Sequence, residues 1–147
     1  MVARRILLIN GPNLNLLGSR EPAHYGSVTL ESIETTVTQR AAALSPSVGV
    51  VTFQSNHEGE IIDCIHREGR DALGIIMNPG AFTHYSYAIR DAVSAVGTPL
   101  IEVHISNVHA REEFRHRSVI APVASGQIVG LGAHGYLLAL DYLTREG

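Results

Sequence analysis

One stretch, Leu-Ile-Glu-Val-His-Ile-Ser at residues 100–106, sets ionisable groups into strand alternation. Two-residue spacing puts Glu102, His104 and Ser106 on one face of an extended segment, with Ile101, Val103 and Ile105 on the other. A carboxylate two residues from an imidazole, in an otherwise apolar strand, is costly to bury without partners. Two readings are open. The pair is satisfied within the core, or Glu102 orients His104 and raises its basicity, suiting it to general-acid work.

A second concentration lies in residues 11–26, GPNLNLLGSREPAHYG, which show little periodicity. Loops this long in compact domains are usually lids, binding loops or disorder. Asn13 stands near its start, and Arg20, Glu21, His24 and Tyr25 fall between Gly18 and Gly26, two positions that could hinge it. Further polar residues follow other apolar runs: Asn10 and Asn15, then Ser55, Asn56 and His57, then Asn78 and His84.

These residues need elements to place them. Residues 5–10 (RILLIN), 48–54, 73–78 and 100–105 read as buried strands, and 127–129 as a short fifth. Between them Leu30, Ile33, Val37, Ala41 and Leu44 recur at helical spacing, with Glu31 and Glu34 suited to a first turn and Ser45-Pro46 as a stop. Helices are predicted over 58–68, closed by Gly69, over 86–95, closed by Gly97, and over 131–145, with Leu137, Leu138 and Tyr142 on the apolar side. Strands alternating with helices predict an α/β fold with a parallel sheet, for which the flavodoxin-like order 2-1-3-4-5 is preferred. Ligands of such sheets bind beyond the carboxyl ends of the strands, where the polar residues gather. No repeat or composition break divides the chain, so residues 1–147 read as one domain.

Composition removes several functions. Net charge is −3, too weak and of the wrong sign for a nucleic-acid binder relying on a basic face. All 11 basic residues are arginine, so Schiff-base catalysis and a Walker-type phosphate loop, which need lysine, are excluded. The single cysteine, Cys64, forms no internal bridge, a thiolate metal cluster is not expected without a second cysteine, and His104 and His109 lack the spacing of a helical zinc pair. The opening MVARRILLIN is too short in apolar residues for a signal segment or membrane span, which makes a cytoplasmic protein the expectation. Residues 130–135 spell GxGxxG, but no strand or acidic partner follows at the dinucleotide-fold distance. A helix opening tightly against the sheet explains those glycines better.

Four segments together resemble the type II 3-dehydroquinate dehydratases over nearly the whole chain: ILLINGPNLNLLGSREPAHYG at 6–26, FQSNHEGEIID at 53–63, IMNPGAFTHYSYAIRDA at 76–92, and residues 99–140. The resemblance implies a flavodoxin-like three-layer sandwich with a five-stranded sheet, and a homododecamer built as a tetramer of trimers. It implies no organic cofactor and no metal. The implied reaction is anti elimination of water from 3-dehydroquinate through an enolate, giving 3-dehydroshikimate. That step serves the shikimate route to aromatic amino acids or, in some organisms, quinate breakdown. Position by position, Tyr25 resembles the family's base, Arg20 its activator, His104 the proton donor, and Asn13 the holder of an enolate-stabilising water. Asn78, His84, Ile105, Ser106 and Arg115 match substrate-binding positions, and Asp91 matches a residue that reaches a neighbouring subunit's site. Phe82 and His134 depart from the family's usual tyrosine and glutamine. The rival reading is a non-catalytic flavodoxin-like module holding FMN or a phosphorylated ligand.

Magnitudes are compatible with a tyrosinate base. Lowering a phenol from about 10 by two to three units takes about 3–4 kcal/mol. One guanidinium at about 4.5 Å supplies about 4 kcal/mol at an effective dielectric near 20, less desolvation.

Overall fold

A computed structural model describes residues 4–19 and 22–146, without the side chains of Pro22 and Tyr25. Arg20, which the resemblance makes the activator of Tyr25, lies outside the described residues, as does the Tyr25 side chain.

Five parallel strands form the sheet: β1 (Arg5–Asn10), β2 (Gly49–Gln54), β3 (Gly74–Asn78), β4 (Leu100–His104) and β5 (Gly126–Val129). Their order is β2-β1-β3-β4-β5, as expected for the flavodoxin-like arrangement. Pairing in register sets Asn10 beside Asn78, and His104 beside Val129, so the carboxyl ends share one edge. The three central strands are buried, and apolar apart from their ends and Glu102, because helices cover both their faces.

Alternation sorts the core into two layers. Ile6, Leu8, Ile76, Ile101 and Val103 pack with α2 (Leu30–Ala42) and α5 (His134–Thr144). Leu7, Ile9, Ile75, Met77 and Leu100 pack with α3 (Glu58–Cys64) and α4 (Tyr87–Val96). Helix α2 buries Ile33, Val37 and Ala41, three of the positions its period indicates, and a reciprocal Thr29–Ser32 capping box opens it. Ser86 caps α4 by accepting from the Ile89 N–H, and Gly97 closes it at φ 67°. Between β1 and α2, Pro22–Tyr25 form the short helix α1.

Two helical expectations need correction. Gly69 does not close the helix that begins at Glu58. The α geometry ends at Cys64 and runs on through a π turn, Ile65–Gly69, in which a Cβ on Gly69 would meet Ile75 at 3.1 Å. In α5 the buried side is Tyr136, Ala139 and Leu140, while Tyr142 is exposed with the Arg145 guanidinium over its ring. A helix apolar nearly all round offers no clear stripe, so the sequence does not fix which side faces the sheet.

The GxGxxG segment serves packing. Gly130 and Gly132 take φ 84° and 64°, and a Cβ on Gly135 would press on Ile128 and Val103 at 3.3 Å. The helix opening is drawn tightly onto β4 and β5, as the spacing suggested.

Candidate active site

Three loops at the carboxyl edge enclose a cleft of about 140 Å³, lined by Asn13, Asn78, His84, His104, Ile105, Ser106, Arg111 and Arg115 together with small and apolar residues. The loops after β1 and β3 meet closely. Gly11 leaves no room for a side chain, since a Cβ there would lie 2.5 Å from the Pro79 carbonyl oxygen, and its N–H donates to the Asn78 carbonyl at 2.8 Å. Asn13 holds a left-handed backbone, φ 68°, at the mouth of the cleft. Asparagine tolerates that region better than most residues. Its backbone N–H is fixed by the Asn56 side-chain oxygen at 2.9 Å.

Strand β4 delivers the ionisable pair. Glu102 is fully buried and His104 is 7% exposed, on the α3/α4 side of the sheet as alternation requires. His104 Nε2 binds Glu102 Oε2 at 2.5 Å. The Thr83 hydroxyl donates to the same oxygen, and the Ser118 hydroxyl donates to Oε1 at 2.8 Å. Burial pushes the Glu102 carboxyl up. The hydrogen bond and charge of His104, with the hydroxyls of Thr83 and Ser118, more than offset this and hold it below the ordinary carboxylate range. Because Nε2 is engaged in the interior, Nδ1 is the nitrogen His104 has left for a ligand in the cleft.

His84 is the second imidazole. Its Nδ1 meets the Arg117 carbonyl at 2.8 Å and so carries the proton, which leaves Nε2 as an acceptor when the ring is neutral. Burial lowers its pKa, and the nearby His104 and Arg115 act in the same direction, against the Arg117 carbonyl and Glu102. Arg115 holds Glu112 through two hydrogen bonds, at 3.0 and 3.4 Å, and stacks over Phe114 at 4.6 Å. That pairing keeps the exposed Glu112 carboxyl down to about 2. The guanidinium stays anchored at the cleft rim.

Asn78 is fixed from behind. Its Oδ1 accepts from the Gly80 N–H at 3.1 Å, and its Nδ2 donates to the Tyr136 hydroxyl at 3.0 Å. Tyr136 in turn donates to Asn10 Oδ1 at 2.6 Å. The amide is locked in one orientation, with a second Nδ2 hydrogen remaining for a ligand.

The structure thus brings together Asn13, Asn78, His84, Glu102, His104, Ile105, Ser106 and Arg115. It does not bring in Asp91, which sits exposed on α4 away from the cleft. The loop after β2 does not line the cleft either: Ser55 bonds the neighbouring Glu60, and Asn56 accepts from the Asn13 backbone N–H and from Gln54 behind it. Sequence reasoning missed Arg111. Its side chain is 5% exposed and donates to Ser106 Oγ at 3.1 Å, which puts a second guanidinium in the cleft. Only its place five residues after Ser106 hinted at this. Cys64 is no nucleophile here, since it is buried and desolvation pushes its thiol up to about 11. Among the described residues no helix is long and apolar enough to cross a membrane.

A flavodoxin-like sheet that ends in a carboxylate-backed histidine, two arginines and a fixed amide has the groups of an acid–base site for a small anionic ligand. Comparison with known proteins makes this specific. A family profile described as "Dehydroquinase class II" matches residues 4–144. The 3-dehydroquinate dehydratase of Bacillus subtilis (strain 168) is 61% identical over 140 residues, 95% of this chain and 93% of that protein. The crystal structure of a type II dehydroquinase from Butyrivibrio crossotus superposes with a TM-score of 0.92 at 51% identity, covering 97% of this chain and 99% of that one. A second, from Propionibacterium acnes, gives 0.88 at 40% identity, with 96% of each chain covered. The chain belongs to the class II dehydroquinase family. Membership sets aside the rival of a non-catalytic ligand-binding module.

Proposed function

We propose that this chain dehydrates 3-dehydroquinate to 3-dehydroshikimate, a step of the shikimate pathway, by anti elimination through an enolate. Tyr25, ionised beside Arg20, removes the proton α to the ketone, and the Asn13-held water stabilises the enolate. His104, oriented by Glu102, gives its proton to the departing hydroxyl. The C–O bond breaks, water leaves, and the enolate electrons form the new double bond. Asn78, His84, Ser106, Arg115 and the backbone at Ile105 hold the substrate. Asp91 completes the site of a neighbouring subunit in a homododecamer of cytoplasmic location, in which residues 1–147 form one domain. The reaction takes no cofactor, because a ketone already acidifies the α proton.

The observation that carries this reading is the buried Glu102–His104 pair, with donors on both Glu102 oxygens. A core pair needs no cleft, and here His104 lines one. Absorbance of the conjugated product tests the activity upon addition of 3-dehydroquinate. Tyr25→Phe is expected to lose about 10²–10⁴ in kcat, the scale of a lost general base, while still binding substrate. Retention of more than about a tenth of the activity would end the assignment. Arg20→Ala is expected to push the acidic limb of the pH–rate profile upward.

A further inference from the structure

Thr83 is buried and takes no part in lining the cleft, yet its hydroxyl donates to the Glu102 oxygen that His104 also binds. Ser118 occupies the other carboxylate oxygen, and the two hydroxyl oxygens lie 2.8 Å apart. Ser118 Oγ accepts the Ile120 and Ala121 N–H groups at 3.1 and 2.9 Å, which directs its proton to Glu102. The Val119 N–H donates to the Thr83 carbonyl at 2.7 Å, and His84 Nδ1 donates to the Arg117 carbonyl two residues earlier in that segment. Segment 117–119 and the turn Gly80–His84 therefore close on Glu102 as one unit.

A carboxylate torsion is intrinsically broad, so a single imidazole contact does not fix its plane. Donors on both oxygens do. We propose that Thr83 and Ser118 are positioning residues for proton donation by His104. They set the plane of the Glu102 carboxylate so that Nε2 stays engaged and Nδ1 stays directed at the leaving hydroxyl. The inference rests on His104 being the acid. In the step concerned, the Nδ1 proton passes to the hydroxyl oxygen, the C–O bond breaks with its electron pair leaving as water, and His104 ends neutral with Nε2–H still on Glu102. Removal of the α proton uses neither hydroxyl.

The test compares dehydration with exchange of the α proton for solvent deuterium, which reads enolate formation alone. Thr83→Val keeps shape and removes the donor. Dehydration kcat is expected to fall about ten- to a hundredfold, the scale of losing a partner that orients a functional side chain. KM is expected to stay within about twofold, exchange to persist, and Thr83→Ser to recover most of the rate. Should Thr83→Val fail to fold, Ser118→Ala carries the same expectation. Unchanged dehydration, or a parallel fall of exchange and dehydration, overturns the proposal. His104→Ala separates the two levels. If it stalls dehydration while the hydroxyl variants do not, only the positioning role fails; if it dehydrates normally, the acid assignment falls as well.

Discussion

Two buried polar networks leave the carboxyl edge of the sheet on opposite faces. On the α3/α4 side, Glu102 collects His104, Thr83 and Ser118 and opens into the cleft through the imidazole. On the α5 side, Tyr136 joins Asn10 to Asn78 with neutral groups only. The charged network is complete at its carboxylate, as a buried charge requires. The neutral one is not: among the described residues Asn10 Nδ2 has no hydrogen-bond partner. Burial pushes the Tyr136 phenol far above its ordinary range, so it stays a neutral bridge between loops at any physiological pH, whereas Glu102 stays charged. An ionic network held ready to pass a proton and a neutral one that fixes an amide are different devices built on the same sheet edge.

Substitutions can break that contrast. The largest expected effect is in His104→Ala, with dehydration kcat lower by about 10²–10⁴ and the fold retained by circular dichroism. In the neutral network, Tyr136→Phe leaves an acceptor on Asn10 and a donor on Asn78 unpaired. It should cost about 1–3 kcal/mol in denaturant unfolding, with a rise in KM rather than a loss of kcat. A loss of kcat on the scale of His104→Ala would erase the distinction.

Acid titration sharpens it further. Glu102 is depressed in the fold, so its contribution is present above the ordinary carboxyl value and is lost as pH falls through its folded value. His84 is also depressed, but as a base it disfavours the folded state once the unfolded chain takes up a proton, below its ordinary value of 6.5. Both make stability fall with pH, His84 first. Thermal unfolding from pH 7 downward should therefore soften in two stages, and His84→Gln should remove the upper one while leaving the lower. The smallest effect belongs to Glu112→Gln at the exposed rim, where Tm should move by about 1 °C or less and any change in KM should fade with salt.

The sequence carried much of this. Strand alternation alone put Glu102 and His104 on one face, and apolar runs broken by helical spacing led to the α/β class; the strand order followed from preferring the flavodoxin-like arrangement, which the sheet has. What it hid was closure between distant segments. Nothing near Thr83 or Ser118 marks them as partners of Glu102, because their contact depends on how two irregular loops fold over β4. Arg111 was missed for the same reason: in a run of charged residues, only the fold shows which guanidinium turns inward. Tyr136 was passed over in favour of Tyr142, since α5 is apolar on too many sides to reveal its phase. Asp91 is the reverse case, a residue supplied by resemblance alone whose place on an exposed helix face a single chain leaves outside the cleft.

The most direct test is the ratio of α-deuterium exchange to dehydration, measured side by side in Glu102→Gln and Tyr136→Phe. Glu102→Gln should raise that ratio at least about tenfold by slowing only the proton donation, and Tyr136→Phe should leave it at the wild-type value. An unchanged ratio in Glu102→Gln, or the same rise in both variants, would contradict the division of the site into a charged network for catalysis and a neutral one for support.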